Sequence, residues 1–372
     1  DPDIKTAELL QHYLDTENEA ELKSSFSGFL EFGTAGLRGA LGPGPSRMNR
    51  AVVGRTAAGL AEFMKSRNLD SIVIGRDARY GSEDFTNDTA EIMAGAGFKV
   101  FVLPRPLPTP VLAYAVTALK VGVGVMITAS HNPAQDNGYK VYLGGVVDEI
   151  NYHGSQIISP TDVTISSEIA KIKSLKAVPR STSWKVLDES IVSRYVTDTA
   201  KIVKPGSNLK VVYTAMHGVG TKTLLSVFAA ADFATPILVS AQADPDPDFP
   251  TISFPNPEES GSIDLALQTA KNYDADLVIA NDPDADRCAV AIKANESWRM
   301  LRGDEVGAIL GESIASAGAT GTFANSIVSS AILHKIANHY ELNFAETLTG
   351  FKWLAKIPNL AFGYEEALGY CV

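Results

Sequence analysis

Along this chain the apolar positions switch repeatedly between a helical spacing of about 3.6 residues and short β-branched runs, the pattern of strands alternating with helices. Within residues 1–30, Leu9, Leu10, Tyr13 and Leu14 recur at helical spacing and predict surface helices. Residues 50–67 are helical by the same measure, and Ser71-Ile72-Val73-Ile74-Gly75 reads as a short buried strand ending in charged residues. Ser82 is placed to cap a helix beginning near Glu83. A strand is expected from Lys99 to Leu103 and a helix over 111–119. Val125-Met126-Ile127 is then a buried strand that stops at Thr128-Ala129-Ser130-His131-Asn132-Pro133, because Asn-Pro cannot continue regular structure. That strand delivers Ser130 to a sharp turn. Asn137-Gly138 predicts a tight turn, with Lys140 on one face of the strand that follows.

Helical and polar segments over 157–203 contain a break at residues 178–183, and a domain boundary is expected between 185 and 205. A new unit opens with a strand over 209–214, after which His217 faces either a cleft or neighbouring backbone. Residues 241–262 are too rich in proline and acid for a helix or a central strand, which predicts a long loop with no assigned role. Strands are expected at 275–281 and 288–293, then a helix capped by Asp304, a strand near Ser326-Ile327-Val328 and a helix over 331–339. The expected fold is therefore α/β and multidomain, three consecutive α/β units with mixed sheets around a central cleft. Their expected limits are 1–190, 191–300 and 301–372.

Composition narrows the function classes. The 372 residues are 45% hydrophobic and 20% charged, ordinary for a globular protein. A formal net charge of -11 argues against nucleic acid and anionic membrane as partners, since both require a basic face. No apolar run approaches the roughly 18 residues of a membrane span and no signal peptide opens the chain, so a cytoplasmic protein is expected, monomer or dimer. The chain opens at Asp1 without a methionine and both ends look trimmed. Its two cysteines, Cys288 and Cys371, cannot build a disulfide framework and read as core thiols.

Five stretches carry chemistry. Phe32-Gly33-Thr34-Ala35-Gly36-Leu37-Arg38-Gly39 and the following Gly42 to Asn49 let backbone N–H groups approach an anion, with Arg38 and Arg47 adding positive charge; a flexible hairpin is the plain alternative. Ser130 lacks the Gly-x-Ser-x-Gly elbow of acyl transfer, and taken alone it is a turn serine, just as Lys140 alone is a solvated strand lysine. Asp282-Pro283-Asp284-Ala285-Asp286-Arg287 places three carboxylates at alternate positions after a buried strand, where a divalent cation would relieve their repulsion; a solvated acidic turn is the plain alternative. All-oxygen ligands suit Mg²⁺. Thr347-Leu348-Thr349-Gly350-Phe351-Lys352 offers a cation at a turn, and Gly363-Tyr364-Glu365-Glu366-Ala367-Leu368-Gly369 offers paired carboxylates able to accept from sugar hydroxyls; for each, ordinary surface is the plain alternative.

The serine hexapeptide, Gly-Thr-Ala-Gly-Leu-Arg-Gly, Asn-Gly-x-Lys, Asp-x-Asp-x-Asp-Arg and Gly-Tyr-Glu-Glu-Ala-Leu-Gly together resemble, in order, the motifs of the α-D-phosphohexomutase family, the phosphoglucomutases and phosphomannomutases, in a subgroup that includes phosphopentomutase-like members. The resemblance implies a phosphoserine at Ser130 and Mg²⁺ held by Ser130, Asp282, Asp284 and Asp286. It implies catalytic roles for Ser130, Lys140, Arg38 and His131, and substrate binding by Glu365, Glu366, Lys352, Thr349, Gly350 and Arg287. The implied activity interconverts 1-phospho and 6-phospho (or 5-phospho) sugars through a sugar 1,6-bisphosphate. Ala367 stands where the family motif often has serine, which unsettles the usual hexose preference. Relatives carry a fourth domain that grips the distal phosphate, and no residues of this chain supply it. Two rivals are a metal-dependent sugar-phosphate phosphatase and a non-catalytic sugar-phosphate binder. Haloacid-dehalogenase-type phosphatases require Thr or Val where this chain has Asp286, and a binder is expected to lack Ser130 or an aspartate of the trio.

Overall fold

A computed structural model describes residues 2–34, 36–203, 208–295 and 297–372. Ala35, in the first glycine-rich loop, lies outside the described residues, as do residues 204–207 at the edge of the expected linker. The chain forms two compact units, Asp1–Ile191 and Val192–Val372.

In the first unit a seven-stranded sheet runs in the order Leu37–Ala40, Asp136–Leu143, Val123–Ile127, Ser71–Arg76, Lys99–Val102 and Lys185–Val186, with Ser155–Gln156 also pairing with Asp136–Leu143. Ser71–Arg76 lies parallel to both Val123–Ile127 and Lys99–Val102, while Asp136–Leu143 is antiparallel to its two main neighbours, so the sheet is mixed. All five residues of Val123–Ile127 are buried. Helix Arg50–Ser66 buries Val53, Ala57, Leu60, Ala61 and Met64 on one stripe. Its cap is Asn49, whose side-chain oxygen accepts from the Val52 N–H at 2.9 Å while its amide donates to the carbonyls of Gly42 and Gly44 at 2.9 and 2.8 Å. One residue thus starts the helix and shapes the glycine-rich loop before it.

The second unit holds two sheets. The first runs Ile237–Leu238, Val211–Thr214, Leu277–Asn281, Cys288–Ala294, Ser297–Met300. The second runs Asn343–Thr347, Thr322–Ser326, Leu360–Glu365, Gly369–Cys371, with its first three strands parallel. These sheets and their helices make the protein α/β with three units of mixed sheet. Among the described residues no helix is long and apolar enough to cross a membrane.

Four local expectations are corrected. Asn137-Gly138 is not a turn but part of strand Asp136–Leu143, paired with Gly39 and Arg38. The chain reverses earlier, where the Asp136 N–H bonds the Pro133 carbonyl, and a side chain at Gly138 would strike the carbonyls of Thr128 and Leu37. Ser82 does not cap its helix: Gly81 precedes Ser82–Gly95, and the buried Ser82 hydroxyl instead bonds Asp77 at 2.7 Å. Helix Gly303–Ser316 is started by Glu305, whose carboxylate accepts from the Arg302 N–H, while Asp304 reaches Ser330 and Tyr364. Finally, the strand near Ser326 ends at that residue; Ile327 and Val328, β-branched but each 63% exposed, lie in the loop beyond it. Their propensity is overridden because burial in this strand goes to Phe323 and Ala324.

Candidate active site

Ser130 sits beyond the last residue of a fully buried strand and adopts φ 52°, a left-handed conformation uncommon for a residue with a side chain. Its N–H donates to Thr128 Oγ1 at 2.9 Å. The larger restraint is Arg79. Its guanidinium donates to the carbonyls of Ser130 (2.7 Å), Asn132 (2.6 Å), Pro133 (2.7 Å) and Asp136 (3.2 Å), so one planar group fixes the whole serine turn. Arg79 and Asp77 are both buried and ion-paired at 3.3 Å; burial pushes the Asp77 carboxyl up and Arg79 opposes that shift.

The Ser130 hydroxyl lies 3.2 Å from His131 Nδ1. Arg38 donates to Asn132 Oδ1 at 3.0 Å, and Asn132 in turn donates to Asp136 at 2.8 Å, which joins the first glycine-rich loop to the serine turn. Lys140 is buried, in register with Met126 of the serine strand. Arg38, Lys140 and the Ser130-His131 turn therefore come from three neighbouring strands of one sheet, Leu37–Ala40, Asp136–Leu143 and Val123–Ile127. Arg47 is not among them: it bonds Ser24 at 2.6 Å and pairs with Glu21.

In the second unit, strand Leu277–Asn281 delivers the aspartates. One ligand oxygen from each of Asp282, Asp284 and Asp286 lies within 4.8 Å of the others. The loop is shaped by Ala285 at φ 52°, by the Arg287 N–H donating to Asp282 at 3.1 Å, and by Asn281, which donates to the Arg287 carbonyl and accepts from the Tyr213 hydroxyl. Gly218 lies so close beneath Pro283 that a Cβ there would collide with it. Asp282 and Asp284 are fully buried, and burial followed by the charges of Asp284 and Asp286 drives the Asp282 carboxyl well above the ordinary range. Three clustered carboxylates under that strain, all hard oxygen donors, fit a divalent cation such as Mg²⁺.

The third sheet brings Ser326, Thr347 and Glu365 to one edge, the C-terminal ends of three parallel strands, where open α/β sheets bind ligands. Glu365 is 6% exposed, and burial pushes its carboxyl up to about 7 against the opposing charge of Arg287 and an N–H bond from Gly350. Gly350 itself has φ 121°, which glycine tolerates best. Thr349 beside it is exposed, and Lys352 lies on the short helix Phe351–Leu354. Leu368 is wholly buried in the core of the Val211–Thr214 sheet, and its carbonyl accepts from the Cys288 N–H at 3.0 Å.

Several participants carried no legible signal. Arg79 looked like one more charge after a strand. Glu258, from the unassigned 241–262 loop, sits 3.9 Å from Arg287, with its carboxyl raised by burial and opposed by Arg287. His217 is buried, its ring bonded to the Thr251 hydroxyl at 2.8 Å rather than to backbone. Cys288 and Cys371 are free, and burial holds their thiols up at about 11 and about 12, too high for a reactive thiolate.

The three sheets and their strand-end loops define a multidomain α/β protein with a cluster of three carboxylates suited to a divalent cation. Residues 30–176, 193–295 and 302–372 match, in order, phosphoglucomutase/phosphomannomutase alpha/beta/alpha domains I, II and III. The chain belongs to the α-D-phosphohexomutase family. It is 50% identical over 332 residues to a probable phosphomannomutase of Haemophilus influenzae, covering 87% of this chain and 67% of that one. It is 37% identical to human phosphopentomutase and 32% identical to a Staphylococcus haemolyticus phosphoglucomutase, covering 100% and 98% of this chain and 66% and 69% of those proteins. The chain thus spans about two thirds of the length of these curated relatives. A crystal structure of a phosphoglucomutase/phosphomannomutase family protein from Burkholderia thailandensis shares the fold, with a TM-score of 0.75 at 20% identity over 91% of this chain and 71% of that one.

Proposed function

We propose that this protein is a phosphosugar mutase that interconverts 1-phospho and 6-phospho, or 1-phospho and 5-phospho, sugars through a phosphoserine at Ser130. The observation that carries the reading is the Ser130 turn itself, a buried strand end forced into a left-handed conformation and fixed by four carbonyl bonds to Arg79. Such pre-organisation suits phosphoryl transfer, where positioning and charge neutralisation supply most of the rate.

In the first half-reaction the Ser130 Oγ–P bond breaks and a bond forms from phosphorus to a free sugar hydroxyl, giving the sugar bisphosphate and unmodified serine. The hydroxyl's proton leaves through a nearby base, for which Lys140 is the candidate. The Ser130 oxygen recovers a proton, which His131 is close enough to hold. In the second half-reaction the other phosphate returns to Ser130 and the isomeric monophosphate is released. Arg38 supports the turn through Asn132. Asp282, Asp284 and Asp286 would hold Mg²⁺, which when bound neutralises charge on phosphoryl oxygens. Arg287 organises that loop through its own N–H, and Glu365 and Glu366 with Thr349, Gly350 and Lys352 are assigned to the sugar phosphate. Relatives named for hexose and for pentose phosphates both align, and both sugar classes are substrates to test.

The full-length protein is incubated with Mg²⁺, glucose 1-phosphate and catalytic glucose 1,6-bisphosphate, then with mannose and ribose 1-phosphates, while isomer and free phosphate are followed. A mutase makes isomer without net phosphate release. Phosphate release would mean a phosphatase, and neither product would mean a binder. Intact mass of the protein and of Ser130→Ala locates the phosphoryl group.

A further inference from the structure

The loop that leaves the central strand of the third sheet is tied to the sugar loop by two hydroxyls. Ser326 donates to Glu366 Oε2 at 2.5 Å, Ser329 lies 3.4 Å from the same oxygen, and the two serine hydroxyls are 2.8 Å apart. A hydroxyl bond that short to a carboxylate is of the strong, charge-assisted kind. The serines are themselves held. The Ser329 N–H bonds the Ser326 carbonyl at 2.9 Å, the Ile327 N–H bonds the Thr347 carbonyl at 2.7 Å, and the Ser330 N–H donates to Asp304 at 2.7 Å. Asp304 also accepts from Tyr364, two residues before Glu366, and a Cβ on Gly303 would run into the Glu366 carbonyl. Ser326 is completely buried while Glu366 is only partly so. The hydroxyl pair therefore grips the carboxylate from the protein side.

We propose that Ser326 and Ser329 are positioning residues that fix the Glu366 carboxylate and thereby set which hydroxyls of an aldose 1-phosphate it accepts. A free carboxylate can bind a vicinal diol with both oxygens. With Oε2 engaged by serine, Glu366 offers its remaining capacity chiefly through Oε1, in one plane, to one sugar hydroxyl. Ala367 has no hydroxyl to add on its side of the loop. This chain supplies two from the neighbouring strand end instead. The inference rests on the reading of Glu366 as a sugar ligand, and it adds that the discriminating geometry is built by residues that do not touch the sugar.

The test is a double-mutant cycle on the full-length protein, using Ser326→Ala, Glu366→Ala and the pair, with kcat and KM measured for glucose, mannose and ribose 1-phosphates. Ser326→Ala is expected to lower kcat/KM for the preferred sugar by roughly 10- to 100-fold, the worth of one hydrogen bond to a charged group. The loss appears mainly in KM and narrows the ratio between good and poor sugars. In the Glu366→Ala background the same substitution is expected to change kcat/KM by less than about twofold, because the partner is gone. Equal losses in both backgrounds, or no loss, would overturn the proposal and leave the serines as a link between strands. If Ser326→Ala fails to fold, Ser329→Ala at its half-buried position is read in the same cycle. Should the parent protein bind but not turn over any of the three sugar phosphates, the mutase reading fails and the cycle is read on calorimetric affinity. Absence of both turnover and binding overturns both.

Discussion

A single nitrogen of Arg79, Nη2, donates to the carbonyls of Ser130 and Asn132 at 2.7 and 2.6 Å, from a residue 51 positions earlier in the chain. Because Asp77 is buried against the same guanidinium, removing the arginine both frees the serine turn and strands a carboxylate.

Arg79→Lys keeps the charge but cannot span four carbonyls with one ammonium. It is expected to lower kcat/KM by ~10²-fold, and Arg79→Ala to cost about 3–5 kcal/mol of stability as a broken buried pair. Steady-state kinetics and urea unfolding of the two variants check this.

Asp284→Asn removes one charge from a buried trio. In EDTA the variant is expected to melt at a higher temperature than the parent, since less repulsion is stored. With Mg²⁺ at ~100-fold its Kd the parent gains about 2.7 kcal/mol, whereas the variant gains almost none. Differential scanning calorimetry with and without Mg²⁺ measures both.

Glu365 gives a pH signature. Its folded-state value of about 7 lies above the ordinary 4.5, so between those values the unfolded chain loses the proton while the native state keeps it. The carboxyl therefore destabilises the fold progressively as pH rises through that window, reaching ~3 kcal/mol above it. In metal-free buffer Glu365→Gln is expected to match the parent at pH 4 and to exceed it at pH 8, as read from denaturant midpoints. A constant difference across that range would contradict the assignment.

Gly303→Ala should act at a distance in sequence. The added methyl meets the Glu366 carbonyl, and relief by backbone movement costs about 1–3 kcal/mol while shifting the sugar loop. A raised KM for sugar phosphate with an unchanged Mg²⁺ requirement is the expected outcome.

The sequence made the buried strands, the serine turn and the aspartate loop readable because each joins a strong β-branched run to residues with few ways of continuing it, Asn132-Pro133 in one case and Asp282-Pro283 in the other. What it hid were partners brought in from far along the chain. Nothing local marks Arg79 as the clamp on Ser130, or Ser326 as a ligand of Glu366 40 residues away. Ile327 and Val328 actively misled, since their propensity favours a strand that the burial of Phe323 and Ala324 had already completed. The Asn137-Gly138 pair misled for the opposite reason: glycine is needed there for close backbone approach inside a sheet, not for reversal.

The burial of Leu368 constrains how the loop bearing Glu365 and Glu366 can change. Its side chain belongs to the core beneath the aspartate strand, and its carbonyl is bonded to Cys288, so this end of the sugar loop cannot drift without disturbing the carboxylate trio. Under the proposed assignment of Glu366 to the sugar, divergence toward a new substrate is channelled to Ala367 and to the two serines bonded to Glu366, where a substitution leaves the inherited scaffold intact.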